Sequence, residues 1–286
     1  MKPIYRSPQG RELILSRYEE FLRAWPGPFE RLAIETRQGK TAVLRCGDQH
    51  KPALVLLHGS MSNSLIWMND AARWQQHFQL FAIDIIGEPG CSAESRPDLH
   101  SDAYAEWLDD LLDTLGLTSA SLVGISLGGW LALDYASRRP GRVERMVVMC
   151  PAGIGRQKHS LVFKAMFLLL LGSWGKRRLR SLVTGADHQP TEQGLQKYLD
   201  YQSLIQKHFR PRVVRFKRFS DDALRAITAP TLLIAGGQDA FFDFTDTRER
   251  LAQLDCRIDV AYQEQLGHMI VNQTEPILSF LLTDAQ

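Results

Sequence analysis

Ser121-Leu122-Val123-Gly124-Ile125-Ser126-Leu127-Gly128-Gly129 is the stretch on which the reading of this chain turns. A short apolar run ends in Gly-x-Ser-x-Gly, and a helix-like segment follows at once. Strand, one-residue reversal and helix is the order of elements that makes a nucleophile elbow. The reversal puts Ser126 in a strained conformation and lifts its hydroxyl clear of the sheet. Strand and helix then pass so closely that a side chain at Gly124 or Gly128 would clash. The N–H of Leu127 and the positive end of the helix lie beneath the serine, where a developing oxyanion would sit. Leu171-Gly172-Ser173-Trp174-Gly175 is a useful contrast. It has leucine two residues before the serine and follows a helix-like run, so it reads as a helix end.

Outward from the elbow, continuous apolar strands alternate with helices. Strands are predicted at Leu32–Thr36, Thr41–Arg45, Ala53–Leu57, Gln79–Ile85, Val143–Met149, Thr231–Ala235 and Arg257–Tyr262. Helices are predicted near Pro8–Trp25, Leu65–His77, Ser101–Leu115, up to Arg139 after the elbow, Thr245–Leu254, and from about Val271. That pattern predicts an α/β protein with a mostly parallel sheet covered on both faces. The alternation lapses between about Ile154 and Thr228, where the segments look helical. The expected organisation is an N-terminal helical extension (1–29) resting on the outside of the main domain, a core domain (30–153 and 229–286) and an inserted helical cap (154–228).

Composition narrows the classes. The chain has 286 residues, 44% of them apolar and 23% charged, with a net charge of +2. These values suit an ordinary globular protein with a substantial core. The charge is uneven: residues 156–228 hold 15 of the 34 lysines and arginines but only 5 of the 32 acidic residues. A basic solvated surface over an acidic core is the plain reading; attraction of anionic substrates or a membrane surface is the sharper one. Cys46, Cys91, Cys150 and Cys256 are scattered, without a C-x-x-C pair, which suits a reducing compartment and disfavours a structural zinc site. The N-terminus lacks the apolar core of a signal peptide, and Leu161–Trp174 is too short for a bilayer span. A cytoplasmic protein without stable membrane insertion is expected. No phosphate-binding glycine loop, H-E-x-x-H or nucleic-acid motif is present, so neither cofactor, metal nor nucleic acid is expected.

A serine hydroxyl needs a base to take its proton, and the base needs an acid to fix its tautomer. In open α/β sheets, sites form at the carboxyl ends of strands. His268, in the loop after the last strand, is the expected base; His58 also follows a strand, but beside Gly59 it suits a structural place in the turn. Asp239, after Gly236-Gly237-Gln238, is the expected acid, with Asp243 and Asp246 as rivals better suited to solvent or helix capping. The preceding strand ends in Cys150-Pro151 with no carboxylate.

The order Ser126, Asp239, His268 fits one serine-hydrolase architecture and not the others. With His58-Gly59 and the loop Asp84-Ile85-Ile86-Gly87-Glu88-Pro89-Gly90-Cys91-Ser92, the chain resembles the α/β-hydrolase-fold superfamily, lidded carboxylesterase-like serine hydrolases in particular, from about residue 30 to the end. The resemblance implies hydrolysis of small carboxylic esters (EC 3.1.1) through an acyl-enzyme. It also implies the backbone N–H of Ser60 as second oxyanion donor beside that of Leu127, although Ser60 departs from the bulky residue many relatives place there. Carbon–carbon bond hydrolases of vinylogous diketones have similar elbows but usually add a glycine and a proline that Ser60-Met61-Ser62 lacks. A non-catalytic ligand receptor on the same fold is a further alternative, though it would not need the base and acid. The apolar stretch Leu161–Leu171 must bury one face; Phe163, Met166, Phe167 and Leu170, at helical spacing, are candidate pocket residues for a hydrophobic substrate, with simple packing as the alternative.

Overall fold

A computed structural model describes residues 3–158, 193–212, 216–270 and 272–283. Phe163, Met166, Phe167 and Leu170, and the Ser173 contrast motif, lie outside the described residues.

Helix α1 (Pro8–Leu22) opens with the Ser7 hydroxyl accepting the Gly10 N–H at 3.0 Å and with proline in its first turn, so both start signals coincide. Strands β1 (Phe29–Ile34) and β2 (Thr41–Cys46) form an antiparallel pair in full register. β1 begins three residues before its predicted start because Phe29, Glu30 and Arg31 pair with Cys46, Arg45 and Leu44. β3 (Ala53–Leu57) is followed by a 3₁₀ turn at Ser64–Trp67, helix α2 (Met68–Trp74), β4 (Gln79–Ile83), α3 (Ala103–Thr114), β5 (Ala120–Ile125), α4 (Leu127–Arg138) and β6 (Val143–Met149). Beyond residue 192 come α5 (Gln193–His208), α6 (Asp221–Arg225), β7 (Thr231–Gly236), α7 (Phe244–Ala252), β8 (Ile258–Gln263) and α8 (Thr274–Leu282).

The eight strands make one sheet in the order β1-β2-β4-β3-β5-β6-β7-β8. β2 meets β4 antiparallel, and every later pairing is parallel. β4 and β5 are buried along their whole lengths and β3 at all but its first residue, as strands covered on both faces must be. Parallel strands all point their carboxyl ends the same way. The loops after β3, β4, β5, β6, β7 and β8 therefore collect at one rim of the sheet.

The N-terminal helix buries one stripe and leaves the rest of its surface to solvent. Ile14, Tyr18 and Leu22 are buried, and the Tyr18 hydroxyl lies 2.8 Å from Ser64 Oγ. Phe21 packs its ring on Tyr198 and Tyr201 of α5, and Tyr5 packs edge-on to Phe209 just beyond it. Arg6 N–H donates to His208 O and Arg210 N–H to Ile4 O, so the first residues pair with the end of α5. Several basic residues of the 156–228 stretch face carboxylates: Arg156 and Arg218 meet Asp246, Arg212 meets Glu88, and Arg225 meets Asp222. Among the described residues, no helix is long and apolar enough to cross a membrane.

Candidate active site

Ser126 stands between β5 and α4 with φ of 53° and ψ of −107°, a conformation that costs a non-glycine residue of order 1–3 kcal/mol. The surroundings enforce it. Its N–H donates to Met149 O at 2.8 Å, while its carbonyl accepts the Trp130 N–H at 2.9 Å and so begins the helix. The glycines of the motif make the close crossing possible. A Cβ on Gly128 would lie 2.0 Å from Leu57 O, and one on Gly124 would lie 2.5 Å from Gly128 O. Neither has a positive φ, so it is space rather than backbone freedom that requires glycine here.

His268 follows β8 and reaches both partners: Nε2 lies 3.1 Å from Ser126 Oγ, and Nδ1 lies 2.6 Å from Asp239 Oδ2. Asp239 follows β7 and is 2% exposed. Its second oxygen, Oδ1, accepts the N–H groups of Phe241 at 2.7 Å and Phe242 at 2.9 Å. Burial pushes its carboxyl upward, but the His268 contact and the two amides outweigh it, leaving Asp239 below the usual carboxylate range. The carboxylate is thereby kept ionised and aimed at Nδ1, a geometry that places the imidazole proton there and leaves Nε2 free to accept. Phe241 and Phe242 pack on the imidazole with ring centroids 4.6 and 5.6 Å away.

The rivals hold other posts. Asp243 caps α7, accepting the Asp246 N–H at 3.2 Å, and Asp246 is engaged by Arg156 and Arg218. His58 is fully buried, with Nδ1 2.8 Å from Gly59 O and Nε2 accepting the Ile85 N–H at 2.9 Å. Burial lowers its pKa and keeps it neutral. Both ring nitrogens are committed to tying the loop after β3 to the loop after β4. Asp84 strengthens the same tie, accepting from Ser64 N–H at 2.9 Å and Cys91 N–H at 2.8 Å.

The loop after β3 carries Ser60 to the serine. A Cβ on Gly59 would sit 3.6 Å from Ser126 Cβ. Neither the Ser60 nor the Leu127 N–H finds an acceptor among the described residues, and Leu127 opens α4. Two N–H groups without an acceptor among the described residues, one of them at a helix N-terminus, are thus candidates to receive an anionic oxygen.

Some site-forming groups have no signature in the sequence. Cys150, at the end of β6, has φ of 43° and is fully buried. Its sulfur, the Asp239 carboxylate and the His268 ring lie within 4.8 Å of one another, a donor set that a metal ion could use. Burial and the Asp239 charge hold the thiol well above its ordinary pKa, however, and the other two groups are already bonded together. The set reads as a proton relay with a thiol behind it. Lys158 Nζ donates to Asp239 O at 2.9 Å, and Lys158 N–H donates to Phe241 O, fastening the start of the inserted segment to the acid's loop. A cavity of about 370 Å³ lined by Gly153, Gly155, Arg156, Phe216, Arg218 and Phe242, among others, shares Phe242 with the imidazole. A larger open hollow of about 460 Å³ between α1 and β1 touches none of these residues.

A parallel sheet with an antiparallel edge, a strained serine after the fifth strand and histidine and aspartate after the last two define an α/β hydrolase. The sequence model of the α/β hydrolase fold family matches residues 52–266, and the chain belongs to that family. It is 32% identical over 280 residues to the carboxylesterase YbfK of Bacillus subtilis, covering 92% of each chain. The crystal structure of carboxylesterase CesB (YbfK) from Bacillus subtilis superposes with a TM-score of 0.81 at 29% identity, over 97% of this chain and 100% of that one. That of naproxen esterase (carboxylesterase NP) from Bacillus subtilis gives 0.77 at 26% identity, over 94% and 96%. By sequence and fold the chain is a carboxylesterase-like hydrolase.

Proposed function

We propose that the chain hydrolyses small carboxylic esters with hydrophobic groups, through an acyl-enzyme on Ser126. The observation that carries the reading is the relay itself: Ser126 Oγ, 3.1 Å to His268 Nε2, and Nδ1, 2.6 Å to Asp239. Ser126 Oγ attacks the ester carbonyl and passes its proton to Nε2. The carbonyl oxygen becomes the oxyanion of a tetrahedral intermediate and is met by the Ser60 and Leu127 amides, with the α4 dipole in support. Asp239 stabilises the imidazolium. His268 then returns the proton to the departing alcohol. Water, deprotonated by His268, attacks the acyl-serine, and a second passage through the tetrahedral intermediate releases the acid.

The hydrophobic preference is supported by Phe241 and Phe242 against the imidazole and by the cavity that Phe242 shares with Phe216. Residues 154–228 are proposed to act as a cap, since α5 touches the loop after β3 through Asn63 Nδ2, which donates to the Tyr201 hydroxyl at 2.8 Å.

The test is a series of p-nitrophenyl esters of rising acyl length, with a vinylogous diketone beside them and an alkyl phosphonate as label. Ester turnover with phosphonate labelling, both lost in Ser126→Ala, is the expected result. Cleavage of the diketone in preference to every ester would replace ester hydrolysis by carbon–carbon bond cleavage. Saturable binding of these compounds without turnover or labelling would make the chain a receptor.

A further inference from the structure

Glu88 lies in the loop after β4, within Gly87-Glu88-Pro89-Gly90, and its side chain has no exposure to solvent. A carboxylate taken out of water is costly unless its oxygens are matched. Oε2 accepts the Met61 N–H at 2.8 Å. Oε1 faces Arg212 Nε at 3.5 Å, and neither of these two buried atoms has a hydrogen-bond partner among the described residues. Arg212 also donates to the Tyr104 hydroxyl at 2.6 Å and lies over the Tyr104 ring. Burial holds the Glu88 carboxyl above its ordinary value, and the Met61 amide and the guanidinium groups of Arg212 and Arg96 offset only part of that.

The position of Met61 gives this contact its meaning. Met61 has φ of 58°, a left-handed conformation that a non-glycine residue holds only when its surroundings insist. Its N–H belongs to the peptide plane that carries the Ser60 carbonyl. Only the two backbone torsions of Ser60 separate that plane from the one bearing the Ser60 N–H. Fixing the first plane therefore aims the second.

We propose that Glu88 is a positioning residue for ester hydrolysis: it anchors the Ser60–Met61 turn so that the Ser60 N–H points at the oxyanion, while Arg212 cancels its charge. The proposal rests on the reading of Ser60 as an oxyanion donor. The pairing with Arg212 is as important as the hydrogen bond. An uncompensated anion this near the loop would oppose the negative charge that forms on the substrate oxygen. Two apolar side chains could replace an ion pair kept for stability alone, whereas a positioning role needs an acceptor for the Met61 amide.

Two double variants separate these roles, because each removes the guanidinium and so leaves no orphaned buried charge. Glu88→Gln with Arg212→Met keeps an acceptor for Met61; Glu88→Met with Arg212→Met does not. For each, kcat and KM are measured on a p-nitrophenyl ester, along with affinity for a trifluoromethyl ketone and its methyl ketone. Ser126 Oγ adds to the trifluoromethyl ketone carbonyl, its proton goes to His268, and the ketone oxygen becomes an oxyanion, so this ligand reports on the donors directly. The glutamine variant should stay within about fivefold of the native kcat. The methionine variant should lose about 30- to 100-fold in kcat with KM nearly unchanged, less than the full loss of one oxyanion donor. Its trifluoromethyl ketone affinity should fall in the same proportion, and its methyl ketone affinity should not. A folded methionine variant with native kcat overturns the proposal, as does an equal loss in both variants. Should the methionine variant not fold, Glu88→Leu with Arg212→Leu is read by the same criteria. If the native chain binds both ketones equally, the oxyanion reading itself fails and takes the Glu88 role with it, an outcome distinct from the other two.

Discussion

Asp239→Asn is the substitution whose outcome the geometry specifies most closely. The asparagine carbonyl has two places to go. Placed on the Phe241 and Phe242 amides, it keeps the bonds that Asp239 Oδ1 makes at 2.7 and 2.9 Å. The NH2 group then faces His268 Nδ1, which must accept, and the ring proton moves to Nε2, where it blocks abstraction from Ser126. Flipped, the carbonyl restores the productive tautomer but sets the NH2 group against two backbone N–H donors. Leaving two buried donors unsatisfied costs about 1–3 kcal/mol each, or about 2–6 kcal/mol together. At about 1.4 kcal/mol per decade, the productive arrangement is rarer by a factor of about 30 to 2 × 10⁴. Loss of the negative charge beside the imidazolium adds to this, so the expected fall in kcat is about 10³-fold or more. The assay is steady-state hydrolysis of a p-nitrophenyl ester, with circular dichroism and melting temperature to show that the variant folds. A folded variant within tenfold of native kcat refutes the argument. So would a larger loss in Asp243→Asn, because Asp243 caps α7 and does not touch the imidazole.

The same carboxylate gives a pH dependence with a definite sign. The folded pKa of Asp239 lies below its ordinary value, so its charge contributes stability above the unfolded pKa of about 3.9, and that contribution disappears as pH falls through the folded value. The melting-temperature gap between native protein and Asp239→Asn should narrow as pH falls below about 4; a gap that does not change with pH contradicts this. Gly128→Ala should cost more than about 4 kcal/mol or prevent folding, because its Cβ would meet the Leu57 backbone, which no rotamer can relieve. Gly116→Ala has open space around it but a φ of +71°, so denaturant melts should show a loss of only about 1 kcal/mol. Tyr18→Phe removes the hydroxyl that α1 places against Ser64 and should lower stability by about 1–2 kcal/mol in the same assay; no change would mean that α1 is held by packing alone.

The parts of the fold legible in the sequence are those whose physics is local. β3 and β6 run between the residues predicted, because an unbroken apolar run bounded by turn residues has few other ways to bury itself. The elbow was readable for a similar reason: a close crossing of strand and helix admits only glycine at Gly124 and Gly128, and that requirement is written in the chain. The ends shifted where tertiary contacts decide them. β1 starts early because β2 offers partners for Phe29 to Arg31. β4 stops at Ile83, since Asp84 turns its carboxylate to the amides of Ser64 and Cys91. The stripe on α1 predicted burial but not its partner, and α5 lies more than 170 residues further along.

The same distinction runs through the site. Ser126, Asp239 and His268 could be nominated because each must follow a strand, and the parallel sheet brings all such positions to one rim. Their supports obey no comparable rule. Lys158 reaches the carbonyl of Asp239, and Arg212 reaches Glu88, from the two ends of the inserted segment. Neither lysine nor arginine is distinguishable in a stretch already rich in both. Glu88 had a visible sign of another kind: it is the one charged residue in Ile85-Ile86-Gly87-Glu88-Pro89-Gly90, a run otherwise built for burial. A carboxylate in such a run must have its charge answered nearby, and the chain alone does not say by what. The fold answers with the Met61 amide of the loop after β3 and the Arg212 guanidinium, so one buried side chain ties together two segments far apart in the chain.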